Sequence, residues 1–197
     1  MKKRKYNKTL RAEQQDETRE RIVEATVALH GSLGPAKTSI KAIAEKAGVQ
    51  RLTVYRHFPD DASLFQACSA HYFGLHPPPN MGDWAGIEDP GERSRTALLA
   101  FYRFYRTTEE MLSVVYRDID QVPAMQAPML QFEGYLDQVC DNLVEGWTGN
   151  AKAKLQDKKS LALTLRHCLR FSTWAALKNE KLSDKKITEL VMGWIEH

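Results

Sequence analysis

The stretch AIAEKAGVQRLTVYRHF, Ala42 to Phe58, sets Lys46, Arg51, Arg56 and His57 among apolar residues around one central glycine. Helical spacing reads it as two short helices, Ile40–Ala47 and about Arg51–Phe58, the first stopping at Gly48 and the second at Pro59. Such a pair, joined by a turn containing glycine, is a helix-turn-helix. Each internal position has a physical reason. Ala44 is small enough for two helices to cross closely, and Gly48 takes a positive φ at little cost. Val49 and Val54 return apolar groups to the first helix, where Ile40, Ile43 and Ala47 face them. Thr38 and Ser39 are cap candidates for that helix.

Charge separates this region from the rest. Residues 1–58 hold 13 Lys/Arg against 6 Asp/Glu, a net +7, whereas the remainder holds 15 against 19, a net −4. A basic head on a mildly acidic body suggests a polyanion partner for the head. Lys2, Lys3, Arg4, Lys5, Lys8 and Arg11 give the first eleven residues six positive charges and no acid. No apolar core follows this start, so it is not read as a secretory signal.

Working outward, nearly every segment reads as helix. Ile22, Ala25, Thr26 and Leu29 recur at helical spacing over Asp16–His30, before Gly31 and Gly34. Asp60 or Asp61 caps a helix carrying Leu64, Phe65, Cys68, Tyr72 and Leu75. His76–Pro90 is rich in proline and glycine and reads as a loop. Helices follow near 91–107 and 109–119, then a connection broken by Pro123 and Pro128. The next long helix carries Leu136, Val139, Cys140, Leu143, Val144 and Trp147. Another is expected near 157–179, and the last starts at Ser183 with Ile187, Leu190, Val191, Trp194 and Ile195 on one side. The fold class is all-α. No stretch approaches the ~20 apolar residues of a membrane span. Cys68, Cys140 and Cys168 lie far apart with no Cys-x-x-Cys pair, which favours reduced, packed thiols in a cytosolic protein.

The register around the turn resembles one family. GPAKTSIKAIAEKAGVQRLTVYRHFPDDASLF is similar to the DNA-binding head of the tetracycline-repressor-like (TetR) regulators. The resemblance rests on Gly34, Thr38, Ser39, Ile43, Ala44, Ala47, Gly48, Val49, Thr53, Val54, Tyr55, His57, Phe58, Pro59 and Leu64, and covers roughly residues 19–67. Three positions depart from it. Asp61 stands where the family usually has a phosphate-binding lysine, Gln50 replaces a serine-like cap, and Ala42 replaces an acid that would complete a capping box with Ser39.

The resemblance implies a three-helix head, residues 1–60 with a basic N-terminal arm, and a larger helical effector-binding and dimerisation domain, 61–197. About nine helices are expected in all, with 61–76 as the connecting helix. It implies a cytoplasmic, bacterial, nucleoid-associated regulator, most often a repressor, acting as a homodimer on a palindromic double-stranded DNA operator. The second helix of the pair would enter the major groove. Its DNA surface would comprise Thr38, Ser39, Lys41, Gln50, Arg51, Leu52, Thr53, Tyr55, Arg56 and His57. Arg51 suits direct readout, because a guanidinium bonds two guanine acceptors at once. Leu52 suits a thymine methyl, and the hydroxyls of Ser39, Thr53 and Tyr55 suit phosphate. Ile43, Val54 and Phe58 belong to the core. Without the surrounding register, Arg51 and Arg56 would read as a solvated helix face.

In the body, Phe101, Tyr105 and Trp174 are candidate walls of a small-molecule pocket, with plain core packing as the alternative. The apolar stripes of 157–179 and 183–197 suit a two-fold four-helix bundle between subunits, or the subunit's own core. No cofactor is implied beyond an unidentified effector. Asp118 and Asp120 form a D-x-D at a helix end without a third ligand. The histidines offer no zinc spacing, and no catalytic or nucleotide-binding motif is present, so an enzyme is not expected. The competing reading is an architectural or protein-recruiting DNA binder without small-molecule control.

Overall fold

Lys, Arg, Glu, Gln and Ala dominate positions 2–21 and have high helix propensity. In the computed structural model they form the first part of α1 (Lys2–Leu33), which starts well before the expected Asp16. This segment lacks an apolar stripe, so periodicity alone does not reveal it. The structure describes the backbone of residues 2–149 and 155–196 and the side chains of 12–149 and 158–196. The side chains of the expected basic arm, Met1–Arg11, lie outside the described residues.

The chain parts into two compact units, Met1–Leu75 with Glu110–Pro128, and His76–Glu109 with Met129–His197. The division expected at residue 60 is therefore not where the units part. In the first, α1 packs against α2 (Ile40–Ala47), α3 (Arg51–His57) and α4 (Asp61–Leu75), and α4 packs on a short turn at Pro123–Met125. Ile22, Ile43, Val54, Phe58, Leu64, Phe65 and Met125 share its core. Burying each of these larger side chains contributes on the order of 1.5–3 kcal/mol. Val115, Ile119 and Val122 pack against the same cluster, which explains why 110–128 folds with the head.

Two helices were expected on either side of residue 108, but α5 runs unbroken from Pro90 to Asp118. Thr107 and Thr108 both donate their hydroxyls to the Phe104 carbonyl, at 2.8 Å each, and so stay within the helix. α6 (Gln126–Thr148) accommodates Pro128 in its first turn, where a missing N–H costs nothing.

The single helix expected at 157–179 is two, α7 (Leu155–Cys168) and α8 (Phe171–Asn179). Arg170 is extended between them, at φ −74° and ψ 139°. Two carbonyls at the break are taken from a distance: Tyr102 Oη donates to Cys168 O at 2.9 Å and Tyr105 Oη to Leu169 O at 2.5 Å. Thr173 Oγ1 donates to His167 O at 2.7 Å. α9 (Asp184–Ile195) begins at the expected cap, Ser183, whose hydroxyl oxygen accepts the Lys186 N–H at 3.3 Å. Nine α-helices and no strand occur among the described residues. None of the helices described is long and apolar enough to cross a membrane.

Cys68, Cys140 and Cys168 are free and buried. Burial pushes the Cys68 and Cys168 thiols up to about 12 and Cys140 to about 11, so none is a nucleophile near neutrality.

Candidate nucleic-acid interface

The turn between α2 and α3 closes as its sequence requires. Gly48 is left-handed, φ 67° and ψ 36°. Its N–H reaches Glu45 O at 3.2 Å, and the Val49 N–H reaches Ala44 O at 2.9 Å. These are the paired bonds of a helix ended by a left-handed residue. Ser39 Oγ accepts the Ala42 N–H at 3.2 Å, so α2 keeps half of a capping box. Gln50 caps α3 without a side-chain hydrogen bond, as its departure from a serine-like cap implies.

Val54 and Phe58 are buried beneath α3, as is Ile43 in α2, in agreement with their assignment to the core. The opposite edge faces outward. Leu52 is 59% exposed and Tyr55 51%, alongside exposed Arg51 and Arg56. A helix of seven residues that leaves two large apolar side chains in water holds a surface its own core does not use. Thr53 and His57 are half-buried. Ser39 and Lys41 are exposed at the start of α2, with Lys41 Nζ 3.7 Å from Glu45 Oε1. Thr38 is engaged internally, donating to Gly34 O at 2.9 Å.

Residues beyond the expected set complete the surroundings. Arg21 Nη1 donates to Ala47 O at 3.3 Å, holding the end of α2, and the Arg19 guanidinium lies 4.9 Å from the Phe58 ring centroid. Gln15 and Thr18 of α1, with Gln14 and Asp16, line a groove of about 550 Å³ together with Thr53, Arg56 and His57. The sequence marks these α1 positions only as polar and charged.

The other pair of motifs resolves differently. Asp118 of the D-x-D accepts from Arg117 Nε at 2.7 Å and from the Ala36 N–H at 3.0 Å, so its oxygens serve the fold. The hydrogen-bonded Arg117 guanidinium holds the Asp118 carboxyl below the usual range, against the effect of burial. No metal-sized cluster of His, Cys, Asp or Glu occurs among the described residues. In the second unit, Phe101, Tyr105 and Trp174 are brought together, with the Tyr105 ring 6.0 Å from each of the other two. All three are fully buried, and Trp174 Nε1 donates to Asp184 Oδ1 at 3.0 Å.

Residues 22–68 match the model of the bacterial regulatory proteins of the tetR family. The HTH-type transcriptional regulator SrpR of Pseudomonas putida is 29% identical over 140 residues, 68% of this chain and 64% of SrpR. The chain thus spans just under two thirds of that relative. TtgW, an uncharacterized HTH-type transcriptional regulator also of Pseudomonas putida, is 29% identical over 118 residues, 58% of this chain and 85% of TtgW. The fold is similar to that of a TetR-like transcriptional regulator from Rhodococcus sp. RHA1, at a TM-score of 0.62 and 20% identity over 89% of this chain and 91% of that one. Together with the turn geometry, these matches show residues 22–68 to be a helix-turn-helix similar to the DNA-binding head of the tetR family of bacterial regulatory proteins, in a chain whose fold is similar to that of TetR-like regulators.

Proposed function

We propose that the chain is a cytoplasmic repressor that binds a palindromic operator as a homodimer and leaves it when a small molecule binds the second unit. The observation that carries the DNA contact is the outward edge of α3, where Arg51, Leu52, Tyr55 and Arg56 are exposed above buried Val54 and Phe58. In this reading Arg51 addresses base edges, and Thr53, Tyr55, Arg56 and His57 address phosphates and flanking bases, with Ser39, Lys41 and Gln50 at the helix starts. Asp61 is exposed in the first turn of α4 and supplies no phosphate contact, which leaves more of the affinity to the basic head.

Leu163 on α7 and Leu190 and Trp194 on α9 are exposed at 56%, 42% and 43%, which supports a second copy covering that face. Leu163→Glu with Trp194→Glu is expected to halve the mass measured by light scattering. An unchanged dimeric mass would remove these helices from the interface. Effector control is supported by Trp84, fully buried with its ring centroid 6.3 Å from that of Phe101, whose indole N–H has no acceptor among the described residues. A ligand acceptor there would satisfy a donor that is costly to bury alone.

The reading without small-molecule control draws on the packing of Phe101, Tyr105 and Trp174, in which the Tyr105 hydroxyl and the Trp174 indole N–H already have acceptors within the chain. Selection of bound sites from random duplexes by the full chain, repeated across salt concentrations, tests the function. The expected product is two inverted half-sites with centres about one helical turn apart. Recovery of unrelated sequences would reject it.

A further inference from the structure

Trp147 Nε1 donates to Ser94 Oγ at 2.9 Å and Trp174 Nε1 to Asp184 Oδ1 at 3.0 Å, whereas the N–H of fully buried Trp84 meets no acceptor among the described residues. A buried indole N–H ordinarily finds a partner, and leaving that bond unmade is costly. The second unit also holds the complementary defect. The side-chain oxygen of Asn142 is buried without a donor among the described residues.

The register of α5 against α6 brings the two atoms to one seam. The helices run antiparallel, with the Phe101 and Tyr135 ring centroids 6.4 Å apart and Ser94 joined to Trp147. Asn142 falls between those contacts on α6, at i+7 from Tyr135, and so shares its helix face. The matching position on α5 is Ala97, fully buried one turn before Phe101, the ring on which Trp84 packs. Trp84 reaches the seam from residues 79–87, a strap in which Gly82, Asp83, Ala85 and Gly86 are exposed. Tyr135 Oη ties this strap at Pro79 O, 2.5 Å, and Arg93 Nε ties it at Ile87 O, 2.8 Å.

We propose that the α5–α6 seam beneath residues 79–87 binds a neutral aromatic amide, whose carbonyl accepts from Trp84 Nε1 and whose N–H donates to the Asn142 side-chain oxygen. The inference rests on effector control through the second unit and names the effector's class. The ligand must accept and donate through neighbouring atoms, and a carboxamide does both without carrying charge. A carboxylate would leave Asn142 without a donor, an ammonium would leave Trp84 without an acceptor, and either would lose its hydration. Phe101 and Tyr135 offer ring faces to an aromatic body, the Tyr135 hydroxyl being engaged with Pro79. A mostly apolar site with a few placed polar groups is the usual form of a small-molecule site. Entry lifts the strap and leaves the two helices in place.

The full chain is titrated calorimetrically with benzamide and 2-naphthamide, and with their N,N-dimethyl forms, which cannot donate. The native chain is expected to bind the primary amides roughly three- to tenfold more tightly than the dimethyl forms, as one hydrogen bond would give. Asn142→Leu is expected to erase that difference and to keep the fold, since it removes an acceptor that has no donor. Trp84→Phe is expected to weaken both forms alike. No binding by the native chain at millimolar amide would overturn the site and leave the two atoms to a bridging water. An undiminished preference in Asn142→Leu would overturn it too. Operator affinity is read with and without amide in the same samples. Binding with the expected preference but no loss of operator affinity would uphold the site and overturn its role in effector control.

Discussion

Asp118 Oδ2 accepts the backbone N–H of Ala36 at 3.0 Å, across 82 residues of sequence. Arg117 reinforces the join, donating to Asp118 and, through Nη2, to Leu33 O at 3.2 Å. The end of α5 thereby grips the backbone that leads from α1 into α2. Asp118→Ala leaves the Ala36 N–H unpaired, and a lost bond to a charged group costs about 1–3 kcal/mol. The expected outcome is a lower urea midpoint with an unchanged slope. An unaltered midpoint would show that the join is incidental.

His30 is buried against Phe65, with ring centroids 4.8 Å apart, and burial pulls its imidazole down to about 4, against the pull of the Asp118 charge. The unfolded chain takes up a proton near 6.5 and the folded chain resists it. The neutral ring's contribution is complete above 6.5 and is lost as pH falls toward 4. Between pH 7 and pH 5 the loss is roughly 2 kcal/mol. Asp118, held low by Arg117, adds its own loss only below the ordinary carboxylate range. Urea midpoints at pH 7 and 5 are expected to converge in His30→Gln, and an equally steep dependence in that variant would assign the effect elsewhere.

Gly34 and Gly48 both have positive φ, 93° and 67°, but their surroundings differ. A Cβ on Gly48 meets Arg21 Nη1 at 3.9 Å, an ordinary contact, whereas one on Gly34 runs into the Arg117 guanidinium and the Asp118 carboxylate. Gly48→Ala therefore carries the backbone cost alone, about 1–2 kcal/mol. Gly34→Ala is expected to cost more, since it displaces the join as well. The ranking is read by thermal unfolding, and a larger loss at Gly48 would contradict it.

Arg51 is exposed at the first position of α3, above the core rather than in it. Arg51→Ala is expected to leave stability within about 0.5 kcal/mol. At one base pair of the operator it should lose about 1–3 kcal/mol and relax preference there. Unchanged selectivity across an operator library would remove Arg51 from base readout.

The head was legible because its information is local. Ala44, Gly48, Val49 and Val54 each meet a geometric demand set by residues a few positions away. The departures lie where distant groups decide. The Tyr102 and Tyr105 hydroxyls, more than 60 residues from the carbonyls they take, divide the helix expected at 157–179. Thr107 and Thr108 read as a break until their bonds to Phe104 are seen. The leading half of α1 hides from periodicity because it has no apolar stripe. At the candidate site, Arg19 and Arg21 register in sequence only as charge, since their partners, Phe58 and Ala47 O, are brought close by the fold.

The union of Met1–Leu75 with Glu110–Pro128 bears on how such a head can be exchanged between relatives. One crossover after Leu75 would strand Met125, Val115 and Ile119 with the donor of the remainder, leaving the transplanted piece an ill-matched wall beside Phe65 and Cys68. Recombination that keeps both parents' packing needs a further junction on each side of 110–128, because the head's core is assembled from two stretches that are not consecutive in the chain.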